Sequence, residues 1–245
     1  MMGSLLKWES KQTLSSLSFW IIGATMVILP ALFLILTLKG SDVTGYEAYL
    51  EGLSNFNGFM IFMVGIFAGI HVSGAFESRK IQAAVMAGNS RIKILLAKFF
   101  TYLASIGLFT FIGIAVSTAI AFIMRGTGGI DGTFVRMIVA RALLFVLVET
   151  AFSSICFLIS MYMRHQGSSI GFNLMMMVIL STAVQMLIAN PTAEKIFRFI
   201  PAGQSLFVIG DMSNKNILMA LASVAIFFVA IPALSFIRFS KEELK

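Results

Sequence analysis

Along this chain apolar residues gather into six long blocks, and polar or charged residues are confined to the intervals between them. A hydrocarbon core about 30 Å thick needs about 20 helical residues at 1.5 Å each, which sets the ruler for counting spans. The blocks that pass run roughly from Ser18 to Leu38, Leu53 to Ala75, Phe99 to Met124, Met137 to Met163, Ser168 to Ala189 and Ile217 to Ile237. All are far longer than a strand, and backbone facing lipid must satisfy its own hydrogen bonds, so each is predicted to be a transmembrane helix. The alternation of barrel strands is missing. The predicted fold class is all-α, a single polytopic membrane domain over residues 1–245.

Three intervals carry patterns of their own. Residues 1–17 include LLKWESKQTL, where Leu5, Leu6 and Trp8 can rest on the bilayer while Lys7, Glu9 and Lys11 face water, as in an interfacial helix. Residues 190–215 hold an amphipathic run with Ile196, Phe197 and Ile200, a break at Pro201 and Gly203, and a second apolar run too short to cross. A short hairpin dipping into the outer leaflet fits, provided protein covers its broken backbone; an ordinary surface loop is the alternative. Residues 76–98 begin with the charges Glu77, Arg79 and Lys80, followed by IQAAVMAG, a short helical pattern with Ile81, Ala84 and Val85 recurring on one side. Gly88 and Asn89 are stop signals, and Ser90 is a natural N-cap for a helix that climbs through Arg91, Lys93 and Lys98 into the third span. With that ramp the third helix exceeds a bilayer's need, so its first turns should project beyond it.

Composition agrees with the pattern. Of 245 residues 58% are hydrophobic and only 12% charged, with a mean hydropathy of +0.94, whereas about a quarter of a soluble domain is charged. The formal charge of +7 could suggest nucleic acid, but the Lys and Arg residues lie in short loops where topology accounts for them, so no nucleic-acid partner is expected. Placing both termini inside puts eleven basic residues in the cytoplasm (Lys7, Lys11, Arg79, Lys80, Arg91, Lys93, Lys98, Arg164, Arg238, Lys241 and Lys245) and six outside, which supports that orientation. The N-terminal segment is too polar for a secretory signal and is expected to stay in the mature chain. Cys156 is the sole cysteine, so no internal disulfide forms, and it reads as a small buried hydrophobe.

Candidate chemistry is sparse. The chain has no G-x-x-x-x-G-K-[ST] loop, no H-E-x-x-H and no Cys/His cluster at metal spacing, so neither a catalytic nor a metal site is expected. Within the spans, Arg141 and Glu149 would each cost about 2.5 to 3.5 kcal/mol at the centre of an isolated helix. Arg141 lies about one turn inside the expected boundary and can snorkel; Glu149 is deeper and must find a partner, a water-filled cavity or a proton. A pathway or gating role and a structural one both remain open for Glu149. His71 reads as a satisfied interfacial histidine, and Asn57, Asn173 and Gln185 as interhelical hydrogen-bonding groups; Arg141, Glu149, Asn173 and Gln185 are the pathway candidates. Pro30 and Pro232 should kink the first and last spans.

A helix that completes no span, stops and restarts suits a docking element better than a charge anchor or an anionic-lipid patch. The stretch FESRKIQAAVMAGNSRIKILLAK resembles the link between spans two and three in type-2 permeases of ABC exporters. LLKWESKQ is similar to that family's elbow helix, and KIFRFIPAGQS to its outer hairpin. The resemblance implies that Glu77 to Ala87 form the coupling helix, with Glu77, Arg79, Lys80, Ile81, Gln82, Ala84, Val85 and Met86 meeting a separate ATP-binding subunit that holds ATP and Mg. It further implies pairing with a second copy or a related permease in a bacterial plasma membrane, and export of an amphipathic or antimicrobial peptide-like substrate. The alternatives are a proton- or ion-coupled carrier or channel using Glu149, and a membrane scaffold that transports nothing.

Overall fold

The computed structural model describes residues 2–127, 132–163, 165–188 and 190–240, and every regular element among them is helical. In chain order these are α1 (Met2–Leu14), α2 (Leu17–Lys39), α3 (Gly45–Ala68), a π-helical turn (Gly69–Ser73), α4 (Gly74–Glu77), α5 (Lys80–Met86), α6 (Arg91–Arg125), α7 (Gly132–Tyr162), α8 (Gln166–Leu187), α9 (Pro191–Phe197), α10 (Pro201–Gly210) and α11 (Asn214–Ser240). Six helices are long and apolar enough to cross a membrane, with α3, the π turn and α4 running together as the second. Arg164, Ala189, Lys241 and Lys245, which entered the count of spans and charges, lie outside the described residues.

Two spans start earlier than expected. The second begins at Gly45 rather than Leu53, because Thr44 and Glu47 form a capping box: the Thr44 amide donates to Glu47 Oε2 at 2.8 Å and the Glu47 amide to Thr44 Oγ1 at 3.3 Å. The fourth begins at Gly132 rather than Met137. Pro30 and Pro232 sit inside α2 and α11, which stay helical on either side.

The core forms where α2, α3 and α6 pack together and α7 lies against α6 and α11. Phe19, Met26, Phe56, Tyr102, Phe145 and Phe157 are buried there. On the second span, Gly65 and Gly69 let α8 approach its backbone: a Cβ on Gly65 would come within 3.2 Å of Asn173 Cβ, and one on Gly69 within 3.1 Å of the Ile170 amide nitrogen. Small residues four apart allow such close packing where lipid offers no hydrophobic drive.

The bundle has two unlike ends. At one, α1 packs on α6 and α5 crosses beneath the second and third spans. α1 does not turn Glu9 to water. Leu5, Glu9 and Thr13, four residues apart, face inward, while Trp8 is exposed. Glu9 Oε2 accepts from Lys98 Nζ at 3.1 Å with both side chains almost fully buried, so Lys98 does not lie free in solvent either. At the other end, α9 and α10 form a helical hairpin whose residues Pro201 to Ser205 are buried against α7 and α11. Its turn reaches deep: the Ser223 hydroxyl donates to the Phe199 carbonyl at 3.0 Å, about 13 Å along α11 from Asn214.

Candidate functional site

The second span ends at Glu77, and the chain reverses through Ser78 and Arg79. Arg79 has φ 58°, a left-handed conformation that costs a non-glycine residue about 1 kcal/mol. That break sets the start of α5 at Lys80, so the short helix runs from Lys80 to Met86 instead of from Glu77 to Ala87. Its far end is closed as expected. Gly88 takes φ 83°, and both the backbone amide and the side-chain Nδ2 of Asn89 donate to the Ala84 carbonyl, at 3.3 and 3.1 Å. Ser90 occupies the position before α6 but its hydroxyl makes no capping bond.

Glu77 serves a different helix from the one expected. Its Oε2 accepts from the Gln166 amide at 2.8 Å and so caps α8, tying the end of the second span to the start of the fifth. On α5 itself, Ile81 is buried and Ala84 and Val85 pack half-buried on the core. Gln82 is half-buried and its Oε1 has no hydrogen-bond partner among the described residues. Arg79, Lys80, Ala83 and Ala87 are exposed, and Met86 is 82% exposed. Between α5 and α1 runs a mostly apolar groove of about 450 Å³, with Leu5 and Trp8 on one side and Ala83, Ala84 and Ala87 on the other.

Inside the bundle the pathway candidates separate. Arg141 reaches toward the first turn of α3. The early start of α7 places it about 13 Å from Gly132, where it is buried, donates from Nη1 to the Tyr46 hydroxyl at 2.6 Å and lies over that ring at 5.6 Å. Glu149 is 1% exposed, and neither of its oxygens has a hydrogen-bond partner among the described residues. Asn173 does join helices: its Nδ2 donates to Ser160 Oγ at 2.8 Å, where Ser169 also donates at 2.9 Å, and Ser73 from the π turn donates to the Ser160 carbonyl at 2.9 Å. Gln185 is exposed on α8 and, among the described residues, reaches only Ser181 of its own helix at 3.5 Å, while the Nδ2 of Asn57 has no hydrogen-bond partner among them. His71, in the π turn, stacks on Phe67 at 5.4 Å, and its Nε2 has no hydrogen-bond partner among the described residues.

Three polar features escaped the sequence reading. The Glu9–Lys98 pair joins residues far apart in the chain, for which a single sequence offers no signal. The Ser160 node was visible only as one serine among many. Gln204 is fully buried in α10, its Nε2 donating to the Arg198 carbonyl and its Oε1 without a partner among the described residues; a glutamine inside an apolar run was the available clue.

A family model described as a protein of unknown function, DUF2705, matches residues 21–244, and the chain therefore belongs to that family. No curated protein matches the chain.

Proposed function

We propose that this DUF2705 member is the membrane subunit of an ATP-driven exporter of the ABC type, paired with a second copy or a related permease and with separate ATP-binding subunits. The observation that carries the reading is α5: a short helix outside every span, pinned by the Arg79 turn and the Gly88–Asn89 stop, with Met86 82% exposed. The charge count supports placing this face in the cytoplasm of a bacterial cell, where such a subunit would dock. ATP and Mg belong to that partner. Its closure would push on α5, and the rigid seat of Ile81 in the core would pass the push to the second and third spans, biasing them between two arrangements. The substrate is an amphipathic or antimicrobial peptide-like molecule, released outward.

The test uses exposed positions that hold nothing else in place. Met86→Glu and Ala83→Arg should leave the protein inserted in the membrane while the ATP-binding subunit no longer copurifies or its hydrolysis no longer responds to the membrane subunit. Normal copurification and coupling in both variants sinks the docking assignment. Glu77 is a poor probe, because its replacement also uncaps α8.

A second reading rests on Glu149, whose buried oxygens lack hydrogen-bond partners among the described residues. In a proton- or ion-coupled carrier this carboxyl would exchange a proton with the transported ion. Transport that follows a proton gradient without ATP, and that Glu149→Gln abolishes, would select this reading over the first.

A further inference from the structure

Beside the buried ion pair lies a second, polar cavity of about 230 Å³, enclosed by α1, the start of α2, the π turn, α4 and the first residues of α5 and α8. Gln12, Ser16, His71, Ser78, Lys80 and Gln166 line it together with Glu9 and Lys98. Two of its lining residues carry buried atoms that find no partner among the described residues, Gln12 Oε1 and His71 Nε2. Buried polar atoms are nearly always paired, so orphans on one cavity point to a group that belongs there.

The lining fixes the charge of that group. Lys98 turns one of its three N–H donors to Glu9, and Lys80 has no ion pair or hydrogen bond among the described residues. With two ammonium groups against one carboxylate, the cavity suits an anion. Its surroundings fix the kind of anion. Trp8 and Trp20, 46% and 56% exposed, flank this end of the bundle, as indole rings do at headgroup depth. Next to the cavity, and sharing Thr13 and Phe19 with it, runs an apolar groove of about 190 Å³ lined by Leu14, Phe100, Ala104 and Leu108. A free phosphate has no use for that groove; an acyl chain does.

We propose that the polar cavity and the adjoining groove together bind one anionic phospholipid from the leaflet at the α1 end, its phosphate held by Lys80 and Lys98 with the Gln12 amide turned to donate its Nε2, and one acyl chain along Phe100 and Leu108. The site would tether α1 to the bundle through a lipid, whatever the protein transports.

The full chain, purified in a neutral detergent, is given phosphatidylglycerol, phosphatidylcholine or inorganic phosphate, and bound lipid is counted by native mass spectrometry alongside the thermal unfolding midpoint. One phosphatidylglycerol per chain should be retained and raise the midpoint, while phosphatidylcholine and inorganic phosphate do neither. Lys80→Gln should weaken retention about tenfold, the size of one charge-assisted hydrogen bond. Ala104→Trp, which fills the groove from an exposed position, should weaken it as well, and Lys7→Gln, an equal loss of charge outside the cavity, should not. Equal retention of the two lipids, equal effects of Lys80→Gln and Lys7→Gln, retention unchanged in Ala104→Trp, or a full midpoint shift from inorganic phosphate alone would each overturn the proposal.

Discussion

Glu9 and Lys98 meet at 3.1 Å where water barely reaches either of them. Breaking a buried pair leaves an uncompensated charge, so Glu9→Leu alone should destabilise the protein by about 3 to 5 kcal/mol, whereas Glu9→Leu with Lys98→Met should come close to neutral. Thermal unfolding of the two variants in detergent checks this, and equal losses would mean the contact contributes little. Gly203 makes a sharper case. A Cβ there would collide with the Phe197 carbonyl oxygen and come within 2.8 Å of Phe197 C and Cβ, so Gly203→Ala should cost about 1 to 3 kcal/mol by pushing α9 off α10. Measured against Gly167→Ala, which meets open space, the effect separates crowding from the loss of a glycine. The break before Pro201 was legible in the sequence, but the one expected at Gly203 is absent, since α10 runs on through it to Gly210; what the position needs is a residue without a side chain. The reason for that need was not legible, because the colliding atoms belong to the preceding helix.

At the scale of elements, α5 was nearly readable and Glu77 was misread. Its stop came from a local signal, a glycine at positive φ followed by an asparagine, and such signals survive in any context. Its start came from Arg79 in a left-handed conformation that no residue type there announces. Glu77 sits near α5 in sequence yet caps α8, since the second span delivers its last turn beside the first turn of the fifth. Glu77→Leu should therefore speed amide exchange at Gln166 about fivefold, the equivalent of roughly 1 kcal/mol of capping, and leave exchange within α5 unchanged. Faster exchange in α5 instead would return Glu77 to the short helix. At the start of the second span the local signal lies among polar residues: T-x-x-E over Thr44 to Glu47 is a capping box that starts the helix eight residues before the apolar block.

For the whole molecule, the placement of α5 and α1 at one end and the α9–α10 hairpin at the other sets which surfaces can share a compartment. Cys156 is buried and is the only native thiol, so a Cys156→Ser background accepts single reporters. With an impermeant maleimide on intact cells, Asp42→Cys should label and Met86→Cys should label only after the membrane is opened. Labelling at position 86 from outside would put α5 on the wrong side for an ATP-binding partner and remove the basis of the export reading.

Length and hydropathy alone determined the six spans and the all-helical class, because a bilayer imposes a nearly fixed length and leaves helices few rivals. They also located the hairpin and the short helix, whose ends are written in proline, glycine and asparagine. Tertiary structure decided where the rare polar groups go: Glu9 to Lys98, Arg141 to Tyr46, Asn173 to Ser160, and Glu149 to no partner among the described residues. Inside a membrane a polar side chain is placed by whichever helix happens to face it, and a neighbour in space leaves no mark on the order of residues along the chain.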